Sequence, residues 1–349
     1  MAIIYTSDGP VELYYVLLAG KNIKLAQVEV ESILNLVSKN FETRWYSRLG
    51  LISCSPNPIP ILLHRAALVR EIGNVLVEDQ HYSSLIDKLT RNVVQPDIDR
   101  RSFSISVHDI DKSFPHGEKH RLAESLGKMI QDITGSSVSL RKPDVPLSVV
   151  TTKDVSILGK THKSSQRKLL EQRRPSKKPF FHPSMMNSIL ARVMCNIAEI
   201  SSGDVILDPF CGGGSILCEA SLIGARIVGI DLNWKLLKGA KENLLYQDTH
   251  DFTLVQGDSK YLPVEHLDCI ITDPPYGRTS STRGSEASAL VESLLTHIRD
   301  SKDSLVLCLC ANQDMQLRNA FPKYGLSVEH SVTIPVHSGL TREIFKVRT

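Results

Sequence analysis

The regular alternation of short apolar strands with helices after residue 180 constrains the fold of this chain more than any other feature. Strands are predicted at 205–207, 226–230, 252–255, 267–271 and 305–309. The segments between them, and a last one at 313–321, carry helical patterns. Strands that alternate with helices predict a doubly wound parallel sheet, and the segments 327–335 and 343–347 predict a terminal hairpin.

Aspartates close four successive strands of this predicted sheet, at Asp208, Asp231, Asp258 and Asp273. A single acid in such a place is more often a turn residue than a ligand. Ligands of these sheets bind at the carboxyl ends of the strands. Four aspartates at successive strand ends therefore predict one shared ligand site.

The loop that follows the first of these strands is rich in glycine and leads into a helix, with the sequence Asp-Pro-Phe-Cys-Gly-Gly-Gly-Ser over 208–215. Such a loop lets a dinucleotide or S-adenosylmethionine approach the backbone at a helix N-terminus. The dinucleotide fingerprint G-x-G-x-x-G needs a glycine at position 217, which is leucine, so an NAD-dependent dehydrogenase is the least favoured function. Asp208 suits the methionine ammonium of S-adenosylmethionine, Asp231 its ribose hydroxyls and Asp258 its adenine amino group.

The fourth strand ends in Asp273-Pro274-Pro275-Tyr276, followed by Gly277. The two prolines remove N–H donors, which leaves a carboxylate, carbonyl oxygens and an aromatic ring. This combination suits a flat ring with an exocyclic amino group, since the ring stacks on Tyr276 while Asp273 and the Pro274 carbonyl accept the two N–H bonds. The acceptors stabilise the charge that develops on nitrogen. The sequence Asp-Pro-Pro-Tyr is the pattern of amino-methyltransferases.

Together these motifs resemble the amino-methylating group of class I methyltransferases over residues 180–349. The resemblance implies a Rossmann-like domain with a doubly wound seven-stranded sheet and S-adenosylmethionine as methyl donor. Phe181-His182-Pro183 resembles the segment that closes over the methionine end, with His182 an orienting or packing residue. The implied cofactor-binding residues are Phe181, His182, Pro183, Asp208, Phe210, Gly212, Gly214, Asp231, Leu232, Asp258, Ser259 and Asp273, and the implied catalytic residues are Asp273, Pro274, Pro275 and Tyr276.

The N-terminal half carries a second resemblance. Residues 79–158 show a strand–helix–strand pattern that contains Val138-x-Leu140-x-x-Pro143-Asp144-x-x-Leu147-x-Val149. This pattern resembles a THUMP domain, an RNA-binding module of RNA-modifying enzymes. The small α+β unit predicted over residues 1–78 then corresponds to the ferredoxin-like domain that usually precedes it.

A basic segment separates the two halves. Eight cations and one acid give 160–180 a charge of +7, although the whole chain carries only +3. We interpret residues 159–180 as a linker ahead of a methyltransferase domain at 181–349. The segment is a solvated connection, a contact with RNA phosphates, or both. The candidate RNA-binding residues are Lys160, Lys163, Arg167, Lys168, Arg173, Arg174, Lys177 and Lys178.

Composition limits the cell compartment and the class of protein that this chain fits. No apolar run reaches membrane-spanning length, and the N-terminus lacks the pattern of a signal peptide. The seven cysteines are scattered and form no C-x-x-C pair, which predicts reduced thiols, a cytoplasmic protein and no zinc or other metal site.

A THUMP domain followed by an amino-methyltransferase domain resembles the archaeal tRNA guanine-N2 methyltransferases that act at position 10. The segments 174–186 and 337–342 are similar to segments of that family. The resemblance implies tRNA as partner and N2-methylguanosine as product. A second methylation, the need for a small activating subunit and the oligomeric state, for which we favour a monomer, stay open.

Three other functions stay open at this point. The chain is a THUMP methyltransferase for another tRNA guanosine such as position 6, a DNA adenine or cytosine amino-methyltransferase, or a non-catalytic RNA-binding protein. The THUMP-like half argues against DNA. The complete set of Asp208, Asp231, Asp258 and Asp273 argues against a silent protein.

Overall fold

The computed structural model describes residues 3–6, 9–20, 22–262, 266–275, 284–300, 305–315, 317–337 and 340–349. The chain divides into two compact units. The N-terminal unit comprises residues up to 26, 37–64 and 68–165, and the C-terminal unit comprises 27–36, 65–67 and 166–349.

The N-terminal unit is built on one mixed sheet. Its strands are β1 (Ile3–Thr6), β2 (Gly9–Leu18), β3 (Phe41–Tyr46), β4 (Leu49–Cys54), β5 (Val69–Asp79), β6 (Phe103–Asp109), β7 (Val145–Thr151) and β8 (Ser156–Lys163). The order is β3-β4-β2-β5-β8-β7-β6, with β1 paired to β2. The antiparallel pair β5–β8 joins the segment up to 78 and the segment after it in a single sheet.

Helices alternate with these strands along the sequence. They are α1 (Ile23–Asn35), α2 (Ile59–Arg65), α3 (Ser84–Asp87), α4 (Arg91–Ile98) and α5 (Glu118–Thr134). Most of α1 and the last residue of α2 fall in the C-terminal unit. The apolar side of α5 carries Leu122, Leu126 and Ile130, which pack against Phe103 of β6 and Val149 of β7. The helix ends at Gly135, whose φ of 70° is the left-handed conformation that a terminating glycine adopts readily.

The segment predicted as a linker has regular structure. Strand β8 runs to Lys163, and α6 (Gln166–Gln172) and a 3-10 turn at Pro175–Lys177 follow it. Leu170 is buried while most of the charged side chains point outward. The stretch therefore combines regular structure with an exposed, charged surface.

The C-terminal unit contains the predicted seven-stranded sheet. Its elements are α7 (Ser188–Ile197), β9 (Val205–Asp208), α8 (Ser215–Ser221), β10 (Arg226–Asp231), α9 (Trp234–Tyr246), β11 (Phe252–Gln256), β12 (Cys269–Thr272), α10 (Gly284–Asp300), β13 (Val306–Asn312), β14 (Ser327–His337) and β15 (Leu340–Arg348). The strand order is β11-β10-β9-β12-β13-β15-β14. The hairpin β14–β15 is the predicted one, and β15 runs antiparallel to β13, so the sheet is mixed.

Helices cover both faces of this sheet. Leu207, Ile230 and Ile270 pack in one core with Val291 of α10. Gly229, which precedes Ile230, faces the opposite side, where a Cβ atom would lie 2.5 Å from Leu217 of α8. The predicted doubly wound α/β arrangement is confirmed.

The order of strands places β9 beside β12 at the point where the chain direction across the sheet reverses. Such a switch point leaves a crevice at the carboxyl ends of the two strands, where ligands of open α/β sheets bind. Asp208 and Asp273 lie at these two ends.

The predicted last helix at 313–321 is wrong. The chain forms short 3-10 turns at Gln313–Met315, Leu317–Asn319 and Phe321–Tyr324. Pro322 lacks an N–H donor and its ring opposes α-helical continuation. Phe321 instead packs edge-on against Phe345 of β15, with ring centroids 5.0 Å apart.

In the part of the chain that the structure describes, no helix has the length and apolar character needed to cross a bilayer.

Candidate functional site

The glycine-rich loop after β9 forms one wall of the candidate site. Gly212 and Gly214 adopt φ values of 50° and 78°, a region that favours glycine. A Cβ on Gly214 would lie 3.1 Å from Ala240, and one on Gly213 would lie 2.7 Å from the Met185 sulfur. A Cβ on Gly212 would have nothing within 4 Å among the described residues. The loop is thus packed against its own unit on one side and borders open space at Gly212.

Asp208 lies at the base of this loop with 2% of its surface exposed. One carboxylate oxygen, Oδ1, accepts hydrogen bonds from Thr272 Oγ1 at 2.8 Å and from the Phe210 amide at 3.1 Å. Burial raises the pKa of Asp208 to about 7, and the nearby charges of Asp273 and Asp231 add to the increase against the lowering effect of the two hydrogen bonds. A cation bound beside Asp208 therefore stabilises its ionised form.

Asp231, at the end of β10, is connected to the same loop. Its Oδ2 accepts from the Gly212 amide at 2.9 Å, and its Oδ1 accepts from the Asn233 amide at 2.8 Å. These bonds fix the carboxylate while each oxygen keeps a second lone pair for a hydroxyl donor. Leu232 next to it is exposed.

Asp258 follows β11 in the adjacent loop. Its Oδ1 accepts from the Lys260 amide at 3.0 Å, and the Gly257 amide donates to the Asp231 carbonyl at 3.2 Å. Ser259 is buried. The third strand end is therefore linked to the second by a direct backbone hydrogen bond.

Asp273 follows β12, and the structure gives it a partner that sequence reasoning missed. Arg342 Nη2 lies 3.5 Å from Asp273 Oδ2, and the two side chains are only 20% and 16% exposed. Arg342 stands on β15 opposite Asn312 of β13, so the strand register brings it to the end of β12. Pro274 is buried and Pro275 half-buried, while Tyr276 and Gly277 lie outside the described residues.

The segment Phe181-His182-Pro183 is exposed and is attached to the glycine loop through the residues beside it. His182 Nδ1 lies 2.7 Å from Ser184 Oγ, and the His182 amide donates to the Met185 sulfur at 3.4 Å. Met185 in turn fills the space beside Gly213. This links His182 to the loop by packing.

Asn243 of α9 is a second link that the sequence did not reveal. Its amide group donates to the Gly213 carbonyl at 3.0 Å, and its oxygen accepts from the Phe180 amide at 3.0 Å. A buried asparagine that bridges two backbone segments holds the loop in place, and no sequence signal separates it from an ordinary helical asparagine.

The candidate RNA-binding cations divide into paired and exposed groups. Lys160 pairs with Asp97 at 2.7 Å within the N-terminal unit. Arg173 binds the fully buried Glu219 at 2.9 and 3.0 Å within the C-terminal unit. Arg174 pairs with Glu171 one helical turn away. Lys163, Arg167, Lys168 and Lys177 are exposed, Lys178 is half-buried, and none of these five has an ion pair within 4 Å among the described residues.

The residues present fit S-adenosylmethionine. The side chain of Ser215, at the start of α8, is buried with no hydrogen-bond partner for Oγ among the described residues. This hydroxyl, the open side of Gly212 and the buried acid Asp208 together offer donors and acceptors for an amino acid group. The described residues contain no cluster of three or more histidine, cysteine or acidic side chains that could hold a metal ion.

Two family models match the chain. One is described as RMKL-like, methyltransferase domain, and matches residues 175–344. The other is described as DNA methylase and matches residues 38–242. The first range contains all four strand-end aspartates, whereas the second ends before Asp258 and Asp273.

The similarity to a curated relative extends over almost the whole chain. The tRNA (guanine(10)-N2)-dimethyltransferase of Methanothermobacter thermautotrophicus is 30% identical over 334 residues, which span 94% of this chain and 97% of that protein.

Solved structures share the fold over a similar length. The crystal structure of TrmN from Thermus thermophilus covers 97% of this chain with a TM-score of 0.57 at 18% identity, and the match spans 99% of that chain. SMU.472, a putative methyltransferase solved in complex with SAH, covers 96% with a TM-score of 0.53 at 13% identity, over 98% of its own chain.

Proposed function

The chain belongs to the amino-methyltransferases and, among them, to the tRNA (guanine(10)-N2)-methyltransferase family, and we propose that it methylates the N2 amino group of the guanosine at position 10 of tRNA. The single observation that carries this proposal is the juxtaposition of the buried Asp208, at the base of the glycine loop, with Asp273 at the switch point of the sheet. One acid lies on the cofactor side and the other begins the Asp-Pro-Pro-Tyr segment.

The cofactor is S-adenosylmethionine, which supplies an electrophilic methyl group on a positively charged sulfur. Asp208 would hold its ammonium, and the loop that contains Phe210, Gly212 and Gly214 would hold its carboxylate. Asp231, with Leu232 beside it, would take the ribose hydroxyls. The adenine would lie at Asp258 and Ser259, and the segment Phe181-His182-Pro183 would cover the methionine end.

Asp273 and the Pro274 carbonyl would accept the two N–H bonds of the guanine amino group. The nitrogen lone pair is delocalised into the ring, and these acceptors favour a geometry in which it is localised and nucleophilic. Methyl transfer from the bound cofactor would leave N2 positively charged, while the electron pair of the broken carbon–sulfur bond would stay with the cofactor. The Asp273 carboxylate would stabilise that charge until N2 releases one proton to solvent.

Arg342 would position Asp273 for this role. A guanidinium beside a carboxylate favours the ionised form and restricts its rotation. We therefore assign Asp273 the role of a hydrogen-bond acceptor. Pro275 shapes the turn, and Tyr276 would form the stacking wall for a guanine that has left its base stack.

The N-terminal unit would contribute RNA binding. We propose that residues 1–78 and 79–158 are the ferredoxin-like and THUMP parts, and that the exposed cations after β8 contact tRNA phosphates. Of the eight candidates, Lys163, Arg167, Lys168 and Lys177 suit this role best, because they are exposed and have no ion pair within 4 Å among the described residues. Lys178 is half-buried and hydrogen-bonded to the buried Cys218. The full-length relative is named a dimethyltransferase, and on that basis we propose two successive transfers.

The alternative of a DNA substrate has one observation in its favour, the match to a model described as DNA methylase. A competition experiment separates the two. Unlabelled tRNA should abolish methyl transfer to labelled tRNA, and DNA of equal length should not. Methylation of a DNA duplex or single strand at a comparable rate would reverse the assignment.

The proposal is tested by nucleoside mass spectrometry of unmodified tRNA incubated with the protein and S-adenosylmethionine. We expect the parent protein and the control Asp251→Ala, which changes an exposed residue, to form N2-methylguanosine and N2,N2-dimethylguanosine at position 10. Asp273→Ala should form neither product. Methylated adenosine or cytidine, or a product from Asp273→Ala at the parental rate, would contradict it.

A further inference from the structure

Helix α9 presents a basic outer face that the proposed function does not use. Lys235, Lys238 and Lys241 are exposed, and none of them has an ion pair within 4 Å among the described residues. The inner face is apolar and buried at Leu237, Ala240 and Leu244. Lysines three residues apart on one helix lie about 4.5 Å apart along the axis, which lets neighbouring ammonium groups contact successive phosphates of a nucleic acid strand.

The basic segment before α7 packs directly onto this helix. A Cβ on Gly239 would lie 2.1 Å from the Phe180 ring, so the ring packs closely against the helix backbone at that point. The Phe180 amide also donates to Asn243. Lys177 and Lys178 immediately precede this contact. The crossing therefore brings the exposed Lys177 close to the three lysines of the helix, which itself carries one acid, Glu242, whereas the half-buried Lys178 is directed toward the buried Cys218 of α8.

Two large aromatic side chains of α9 and of the segment that packs onto it are mostly exposed. Trp234, the first residue of α9, is 63% exposed, and Phe181, next to the packed Phe180, is 55% exposed. Exposed rings among lysines are the combination that proteins use to hold single-stranded nucleic acid, because bases stack on the rings while the cations follow the backbone.

The surface begins at the rim of the candidate site. Asn233, the residue before Trp234, donates its amide to Asp231 at 2.8 Å, and Asp231 is bonded to the glycine loop. A tRNA whose target base enters the site therefore brings neighbouring nucleotides toward α9. If α9 were only a solvent-facing helix, nothing would require the Trp234 and Phe181 rings to be exposed in this region.

We propose that Lys235, Lys238 and Lys241, with Lys177, bind the phosphate backbone of tRNA, and that Trp234 stacks on an unpaired base of the same substrate. We call these five residues the α9 surface. This inference rests on the proposed function, because it takes tRNA as the substrate, and it adds a contact area that the predicted basic segment alone does not contain.

The first test compares two double variants by the salt dependence of tRNA binding. Lys238→Gln/Lys241→Gln removes two charges from the α9 surface. The control Arg226→Gln/Lys323→Gln removes two exposed charges of the same unit. Arg226 is the first residue of β10 and Lys323 lies in the turn just before β14, so both are at the amino ends of the parallel strands. Each lost phosphate contact lowers the slope of log affinity against log salt by about 1. We expect the first variant to lower the slope by about 2 and to weaken binding roughly tenfold at moderate salt.

The control should keep the parental slope. Equal slopes for both variants would overturn the proposal. Affinity for S-adenosylhomocysteine, measured by calorimetry, should be the same in all three proteins, since the substitutions lie outside the cofactor residues. Failure of the parent to methylate tRNA would refute the proposed function, whereas a methylating parent with unchanged slopes would refute only the α9 surface.

The second test uses the two tryptophans of the chain, Trp45 and Trp234. Trp45→Phe leaves Trp234 as the only indole. We expect saturable quenching of its fluorescence by tRNA, with the same dissociation constant as direct binding, because base stacking quenches indole emission. Emission that stays constant through a saturating titration would show that Trp234 makes no base contact.

Discussion

At the scale of the residue, the pairing of Asp273 with Arg342 leads to the most specific prediction about the methyl-transfer step. Arg342→Gln removes the cation that orients the carboxylate, and misplacement by about 1 Å lowers rates by about 100-fold. We expect kcat for tRNA methylation to fall by about 10- to 100-fold while affinity for S-adenosylhomocysteine stays unchanged. Arg342→Lys should recover part of the rate, because it restores the charge without the planar fork.

Single-turnover methylation of tRNA measures this effect, with Arg318→Gln, an exposed cation, as the matched control. Added guanidinium should raise the rate of Arg342→Gln and leave the control unchanged. A variant that loses cofactor affinity and rate in parallel would assign Arg342 to general folding of the site.

Asp208 predicts a pH dependence of cofactor binding. Its pKa is raised to about 7 in the ligand-free protein, so the carboxyl is largely protonated below that pH. An ammonium binds the ionised form, and binding at pH 6 therefore releases a proton. We expect affinity for S-adenosylhomocysteine to fall by up to tenfold per pH unit as pH drops below 7.

Thr272→Val provides the control for this prediction. It removes a hydrogen bond that lowers the pKa of Asp208, so the loss of affinity should begin at a higher pH than in the parent. Calorimetry in buffers of different ionisation enthalpy measures both affinity and proton release. A flat affinity between pH 6 and 8 would show that another group holds the ammonium.

The residues of the site were predictable only where position along a strand determines position in space. The ends of parallel strands meet at one edge of the sheet, so the aspartates could be grouped from the sequence. The sequence could not reveal three further residues of the site. The contact of Arg342 depends on the register of β15, that of Thr272 on which face of β12 it occupies, and that of Asn243 on the path of the segment before α7.

At the scale of the element, α9 depends on a glycine that would ordinarily weaken it. Alanine in place of a glycine inside a helix usually stabilises by about 0.5–1 kcal/mol. At Gly239 a Cβ would lie 2.1 Å from the Phe180 ring, and overpacking of this kind costs about 1–3 kcal/mol. We expect Gly239→Ala to destabilise the protein, as measured by urea unfolding.

Gly127 of α5 is the control, because a Cβ there would have nothing within 4 Å. Gly127→Ala should stabilise the protein by about 0.5–1 kcal/mol. Adding Phe180→Ala to Gly239→Ala should cost less than the sum of the single changes, since the truncated ring no longer meets the methyl group. Additive effects would mean that the two residues do not oppose each other.

Helices could be identified from the sequence most reliably where apolar periodicity was long, as in α9 and α10. The wrong helix at 313–321 had only Leu317 and Phe321 as buried anchors, and Pro322 ended any α-helical continuation. The basic segment was predicted only as a linker, because its many lysines and arginines left no long apolar pattern from which the end of β8 and α6 could be identified.

At the scale of the whole molecule, the uneven charge distribution predicts which cations hold RNA and which hold the fold. The segment 160–180 carries +7 in a chain of +3, yet Arg173 within it is bound to Glu219, a buried acid that Arg192 also contacts at 2.9 Å.

Arg167→Gln/Lys168→Gln removes two exposed charges, so we expect the salt slope of tRNA binding to fall by about 2 with unchanged stability. Arg173→Gln leaves Glu219 with one partner fewer and should lower the free energy of unfolding by about 1–3 kcal/mol without changing the slope. Filter binding at several salt concentrations and urea unfolding measure the two effects on the same proteins. If Arg173→Gln lowered the slope as much per charge as the exposed pair, the cations of this segment would act as one RNA-binding group, and burial would not separate their roles.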